Sequence, residues 1–210
     1  MKVIAVSQQV ITRLEGRERC DALDQQWTVL LEQAGILPVL LPNRLKQVSS
    51  LLASLPISGL LLTGGNDLSV MNTESAAPER DVTESVVLSY AIEKQYPVLG
   101  VCRGAQFLVN FFGGRLRSVS HHAGTSHSLI IKSLQLGQLP STVNSYHNFG
   151  FCQEDLPECL ELIATSEDGI VEVIQHRTLP ITGLMWHPER EYKQKPHIAM
   201  LLRKLFAIDL

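Results

Sequence analysis

The segment Gly100-Val101-Cys102-Arg103-Gly104 most restricts how this chain can fold. An apolar run, 97–101, leads into it, and a stretch with helical apolar spacing, 103–112, leads out. A buried strand must therefore turn sharply into a helix, with Cys102 at the apex. Glycines on both sides let the backbone pass where a Cβ would clash. Cys102 then sits at a helix N-terminus, where the dipole and free N–H groups favour a thiolate and a developing oxyanion. The bland alternative, a structural cysteine between two ordinary glycines, explains neither the strand before it nor the helix after it.

A strand that runs straight into a helix belongs to a parallel sheet covered on both faces. The rest of the first half agrees. Apolar runs at 2–6, 37–41 and 59–63 predict buried strands, and apolar spacing predicts helices at 19–34, 45–55 and 79–93. On the last of these, Val86, Val87, Tyr90 and Ala91 are expected to face inward. The second half predicts strands at 127–132, 142–147, 160–165, 169–176 and 181–186, then a closing helix at 196–206. The expected fold is an α/β three-layer sandwich, mostly parallel, with antiparallel C-terminal strands, forming one domain over 1–210. In such sheets ligands collect beyond the carboxyl ends of the parallel strands, here just after Val6, Thr63 and Val101.

Composition narrows the function classes. With 45% hydrophobic and 19% charged residues, the chain is a compact globule rather than a disordered one. Eighteen basic against 21 acidic residues give a net charge of −3, which supplies no general attraction to nucleic acid or an anionic membrane. No apolar stretch is long enough for a membrane span, and the opening residues lack a signal-peptide core, so a cytoplasmic location is expected. Cys20, Cys102, Cys152 and Cys159 form no CxxC pair and are read as single thiols.

A cysteine nucleophile needs a base, and the base needs a group to orient it. Trp186-His187-Pro188-Glu189 closes the last predicted strand. His187 and Glu189, two apart around a rigid proline, can lie on one side of the chain, with the carboxylate on one ring nitrogen and the thiol near the other. Leu62-Thr63-Gly64-Gly65 ends another buried strand in bare backbone, suited to aim a donor at a reacting carbonyl oxygen.

Together these three segments resemble the class I glutamine amidotransferase superfamily, in its γ-glutamyl-γ-aminobutyrate hydrolase-like branch, along nearly the whole chain. The resemblance implies a flavodoxin-like sandwich and a thioester mechanism. It assigns the catalytic roles to Cys102, His187 and Glu189, and the oxyanion hole to the N–H groups of Gly65 and Arg103. It places Gln106, Asn144, Ser145, Tyr146 and His147 around the bound glutamyl group. It implies a small-molecule γ-glutamyl conjugate as substrate, no cofactor and no metal. A homodimer is possible within it.

Arg80-Asp81 and Glu84 resemble a signature of the same branch, but Arg80 and Glu84 also make an ordinary i,i+4 pair at a helix start, and both readings stand. The segment 68–78 is shorter than the insert of longer hydrolases. Segments 100–106, 143–149 and 185–191 on so short a chain resemble a compact sub-branch, the γ-glutamyl-CDP-amidate hydrolases. Arg13, Arg17, Arg19 and Arg190 could serve the phosphates of such a leaving group, or be solvated surface residues.

Other signals are discounted. His121, His122 and His127 lack matched Cys or Asp ligands and are not expected to bind metal. Cys20 is expected to pack on the 19–34 helix, Cys152 and Cys159 to be surface or core thiols, and Trp27 and Phe107 to be core. Two rivals to a hydrolase remain. One is the glutaminase subunit of a two-component amidotransferase, passing ammonia to a partner synthase. The other is a catalytically idle binding protein on the same fold.

Overall fold

The computed structural model describes residues 1–190 and 195–208. The chain begins β1 (Lys2–Val6), β2 (Gln9–Arg13), β3 (Glu18–Ala22), α1 (Gln25–Gln33), β4 (Ile36–Leu40), α2 (Val48–Ala53) and β5 (Ile57–Leu62). It continues α3 (Pro78–Glu93), β6 (Val98–Val101), α4 (Arg103–Phe111), β7 (Arg117–Ser118), β8 (Ala123–Ser128), β9 (Ile130–Ile131) and β10 (Thr142–Tyr146). It closes with β11 (Phe149–Gly150), β12 (Leu160–Thr165), β13 (Val171–His176), β14 (Ile181–Leu184) and α5 (Lys195–Leu205).

Eight strands share one sheet in the order β4-β1-β5-β6-β14-β13-β12-β9. The pairs from β4 through β14 are parallel, and those from β14 through β9 are antiparallel. Alternation along β1 divides two cores. Ile4 and Val6 pack with Trp27 and Leu30 of α1 and Leu202 of α5, whereas Ala5 faces the side of α2, α3 and α4. The mostly parallel three-layer sandwich expected from the sequence is the fold observed, and Trp27 and Phe107 are core.

The largest departure is at 19–34. Its first part is a strand, not a helix: β2 and β3 form a separate antiparallel hairpin. α1 starts only after Asp24, whose side chain accepts a hydrogen bond from the Gln26 N–H. Cys20 is therefore half-buried in β3 rather than packed on a helix. The 127–132 strand is also divided. β8 pairs with β10 outside the main sheet, and only β9 joins its edge.

α3 buries Val87 and Ala91 and half-buries Tyr90 as expected, but the inward stripe is shifted and also takes in charged residues. Arg80, Thr83, Glu84, Val87, Leu88 and Ala91 face inward, while Val86 is exposed. The stripe follows helical spacing once two charged residues are admitted to it.

Candidate active site

Cys102 stands between β6 and α4 with φ +51° and ψ −105°, a sparsely populated conformation that costs about 1–3 kcal/mol. Its N–H donates to the Leu184 carbonyl at 2.7 Å, which ties the apex to the end of β14. The tight turn depends on Gly104, where a Cβ would come within 2.1 Å of the Leu62 carbonyl oxygen. The expected strand–turn–helix is thus held by direct backbone contact with β5.

β14 lies beside β6, so the residues after it reach Cys102. His187 Nδ1–H donates to Glu189 Oε1 at 2.7 Å. Burial opposes a charge on His187, but hydrogen bonds with Cys102 and Glu189 outweigh it and raise its pKa to about 9. The imidazole rests on the backbone of Gly64, where a Cβ would lie 2.6 Å from ring atom Cε1. Cys102, His187 and Glu189 are all buried. Tyr146 is half exposed and sets its ring edge-on to His187, and the Arg190 guanidinium lies 4.7 Å from the Tyr146 ring centre.

Asn144 holds the main chain of His187. Its Nδ2 donates to the His187 carbonyl and its Oδ1 accepts from the His187 N–H, each at 2.8 Å. The sequence placed Asn144 against substrate. The structure engages both ends of its amide with His187.

Gly65 has φ +101° and lies against the Gln9 side chain. Arg103 opens α4, so its N–H is among those that no helical carbonyl takes. A buried ionic network connects these two backbone segments. Arg80 donates from Nη2 to the Thr63 carbonyl at 2.6 Å and from Nη1 to the Gly64 carbonyl at 2.8 Å. Its Nε donates to Glu84 Oε1 at 2.8 Å, and Arg103 donates to Glu84 Oε2 and to Asp81. The i,i+4 pair read from the sequence is real, but it is fully buried and grips the Gly-Gly turn. Burial and the neighbouring Arg103 lower the Arg80 pKa to about 10, so it stays charged at neutral pH. Burial works against the Glu84 charge, yet Arg103 and Arg80 hold its pKa below the usual value.

Ser7 was not singled out from the sequence. Its Oγ accepts from the Thr63 N–H at 3.0 Å and its carbonyl from Thr63 Oγ1 at 2.9 Å. The signal was its position, directly after the first parallel strand.

The other expected substrate contacts are partly engaged within the protein. Gln106 Nε2 donates to the Phe149 carbonyl at 2.8 Å, and Ser145 Oγ donates to the His122 carbonyl. His147 Nδ1 hydrogen-bonds the Phe149 carbonyl at 3.0 Å. Arg13, Arg17 and Arg19 ride the β2–β3 hairpin, and Arg19 pairs with Glu79 at 2.6 Å. Segment 68–78 is a tight loop pinned by Thr73 to Asp67 and by the Ser69 N–H to Asp81. Glu191, which ends segment 185–191, lies outside the described residues.

In three dimensions three histidines meet a glutamate rather than a Cys or Asp. His122, His127 and His147 converge with Glu172, from a distant strand, while His121 stays out. No helix among the described residues is long and apolar enough to cross a membrane.

A cysteine at a strand–helix turn, beside a paired histidine and carboxylate on a mostly parallel sheet, defines a glutamine amidotransferase-like hydrolase. The chain belongs to the Peptidase C26 family, which matches residues 2–189. It is 33% identical to the γ-glutamyl-CDP-amidate hydrolase of Campylobacter jejuni over 135 residues, which is 64% of this chain and 64% of that one. The match thus spans just under two thirds of that relative's length. It is 32% identical to one component of the glutamine-hydrolyzing GMP synthase of Thermoplasma acidophilum, over 81% of this chain and 80% of that one. A glutamine amidotransferase of Thermotoga maritima shares the fold with a TM-score of 0.69 at 15% identity, over 97% of this chain and 96% of that one.

Proposed function

We propose that this chain is a single class I glutamine amidotransferase-like domain that hydrolyses a small γ-glutamyl amide through a cysteine thioester. The observation that carries the reading is His187, held at Nδ1 by Glu189 and resting on Gly64, at the end of the strand that lies beside the Cys102 turn. The Cys102 sulfur attacks the δ-carbonyl carbon of the γ-glutamyl group as His187 takes the thiol proton. The N–H groups of Gly65 and Arg103 receive the oxyanion. As the C–N bond breaks, His187 gives its proton to the leaving nitrogen. Water then attacks the thioester and yields its proton to His187. Glutamate departs, and His187 returns the proton to the Cys102 sulfur. Glu189 keeps the imidazole oriented throughout.

The leaving group is a cytidine-diphosphate amidate in our reading. The similarity to the Campylobacter hydrolase supports it. Arg190 also supports it, being partly exposed over Tyr146 beside His187, where it can meet a phosphate. The similarity to a GMP synthase component favours a second reading, a glutaminase that passes ammonia to a partner chain.

The test is kcat/KM of the purified chain for glutamine against γ-glutamyl amines and a γ-glutamyl-CDP-amidate. The hydrolase reading expects the conjugate to be much the better substrate, a preference residing in the leaving-group half. Equal use of glutamine, or activity only with a partner synthase, would move the assignment to the second reading.

A further inference from the structure

Four side chains that the proposed mechanism leaves without a chemical role as donors converge on one buried point. His122 lies before β8, His127 within it, His147 just after β10, and Glu172 in β13. One ligand atom from each lies within 4.8 Å of all the others. His122, His147 and Glu172 are buried to 1%, 3% and 0% exposure. Yet His122 Nδ1, His127 Nε2, His147 Nε2 and both Glu172 oxygens have no hydrogen-bond partner among the described residues.

The far ring nitrogens of His122 and His147 are held. His122 Nε2 is 2.9 Å from Asp168 Oδ2, and His147 Nδ1 is 3.0 Å from the Phe149 carbonyl oxygen. Each of those contacts places a ring proton outward and turns the opposite lone pair inward. The inward atoms are His122 Nδ1 at 3.8 Å and His147 Nε2 at 3.7 Å from Glu172 Oε1. Those separations are too long for hydrogen bonds. They are close to the spacing of two ligands on one tetrahedral ion, about 3.3 Å for bonds of about 2.0 Å.

Lone pairs and a carboxylate facing one another away from water repel unless a proton or a metal ion stands among them. We propose that His122, His127, His147 and Glu172 bind a zinc ion in a closed four-ligand site. Three imidazoles and one carboxylate suit zinc, whereas calcium and magnesium favour all-oxygen sets. Asp168 and the Phe149 carbonyl supply the outer hydrogen bonds that orient metal-bound histidines. Four ligands leave no open position, so the ion is a brace. It joins β8, the end of β10 and β13. Ser145 hangs on the same frame through the His122 carbonyl, and the adjacent Asn144 grips His187. The proposal stands whether or not the catalytic reading does.

The experiment uses the full chain carrying Cys102→Ser, which removes the buried thiol as a competing ligand. After dialysis against EDTA and reloading with zinc chloride, elemental analysis should find about one zinc per chain. Cobalt(II) in its place should give the visible d–d absorption of a tetrahedral site. Glu172→Gln and, separately, the half-buried His127→Ala should each abolish retention, and zinc removal should lower the Tm of the parent chain only. Because cobalt and zinc uptake are read on the parent chain, a variant that misfolds does not decide the matter. No retained zinc and no tetrahedral cobalt spectrum in the folded parent would overturn the site. Uptake that survives in folded Glu172→Gln and His127→Ala would do so equally.

Discussion

Asn144 and His187, 43 positions apart, exchange two 2.8 Å hydrogen bonds between one side-chain amide and one peptide unit. The imidazole is thus set from below through its own main chain, while Glu189 sets it from the side. Asn144→Ala removes two bonds of about 1 kcal/mol each. It should lower kcat/KM about tenfold or more, in line with a loss of that size in positioning energy. Iodoacetamide alkylation of Cys102, followed against pH, separates positioning from simple destabilisation. A displaced imidazole should shift that profile, and an unchanged profile would deny Asn144 the role.

Cys102→Ala and Cys102→Ser should each remove turnover by several orders of magnitude and leave the fold intact. Mass spectrometry of the wild-type chain after brief exposure to substrate should find a glutamyl adduct on Cys102. An adduct on Cys20, Cys152 or Cys159 instead would refute the thioester assignment.

Folding raises the His187 pKa from 6.5 to about 9. Between those values the folded chain keeps a proton that the unfolded chain has released, so stability falls as pH rises. The contribution is complete below about pH 6.5 and is lost as pH passes through about 9, and its ceiling is ~3 kcal/mol. Urea unfolding of the wild type and Glu189→Gln should show a wide stability gap at about pH 6 that narrows by about pH 9.5. A gap equal at both values would mean that Glu189 does not stabilise the imidazolium.

Glu84→Gln takes one negative charge from between Arg80 and Arg103. Leaving two buried guanidiniums short of a counter-charge should cost about 3–5 kcal/mol. Asp81→Asn should cost less, since Asp81 is partly exposed and Glu84 still serves Arg103. Denaturation midpoints of both variants check the order. A neutral Glu84→Gln would show that the network contributes nothing to stability.

The elbow was legible because its signal is local: a strand, a tight turn and a helix are consecutive in sequence. The same holds for His187 and Glu189, two positions apart. The β2–β3 hairpin was hidden because Leu23, Trp27, Leu30 and Leu31 carry a helical spacing that extends backward with nothing to stop it. The Asp24 cap marks the true boundary. Arg80 and Glu84 have the same i,i+4 spacing on a solvated face as in a buried network. Only the approach of Thr63, Gly64 and Arg103 distinguishes the two cases. Glu172 had no sequence signal toward the histidines, because β13 and β10 are brought together only by tertiary packing.

Strand β14 is inserted between β6 and β13, although both precede it along the chain. During synthesis on a ribosome, Cys102 is therefore made long before the histidine that would pair with it. Until β14 slots into place, the sheet stays open as two unjoined halves, and the Cys102 N–H has no Leu184 carbonyl to meet. Bringing Cys102 and His187 together therefore requires β14 to be in the sheet beside β6. A chain made only as far as Cys102 has the cysteine without its histidine.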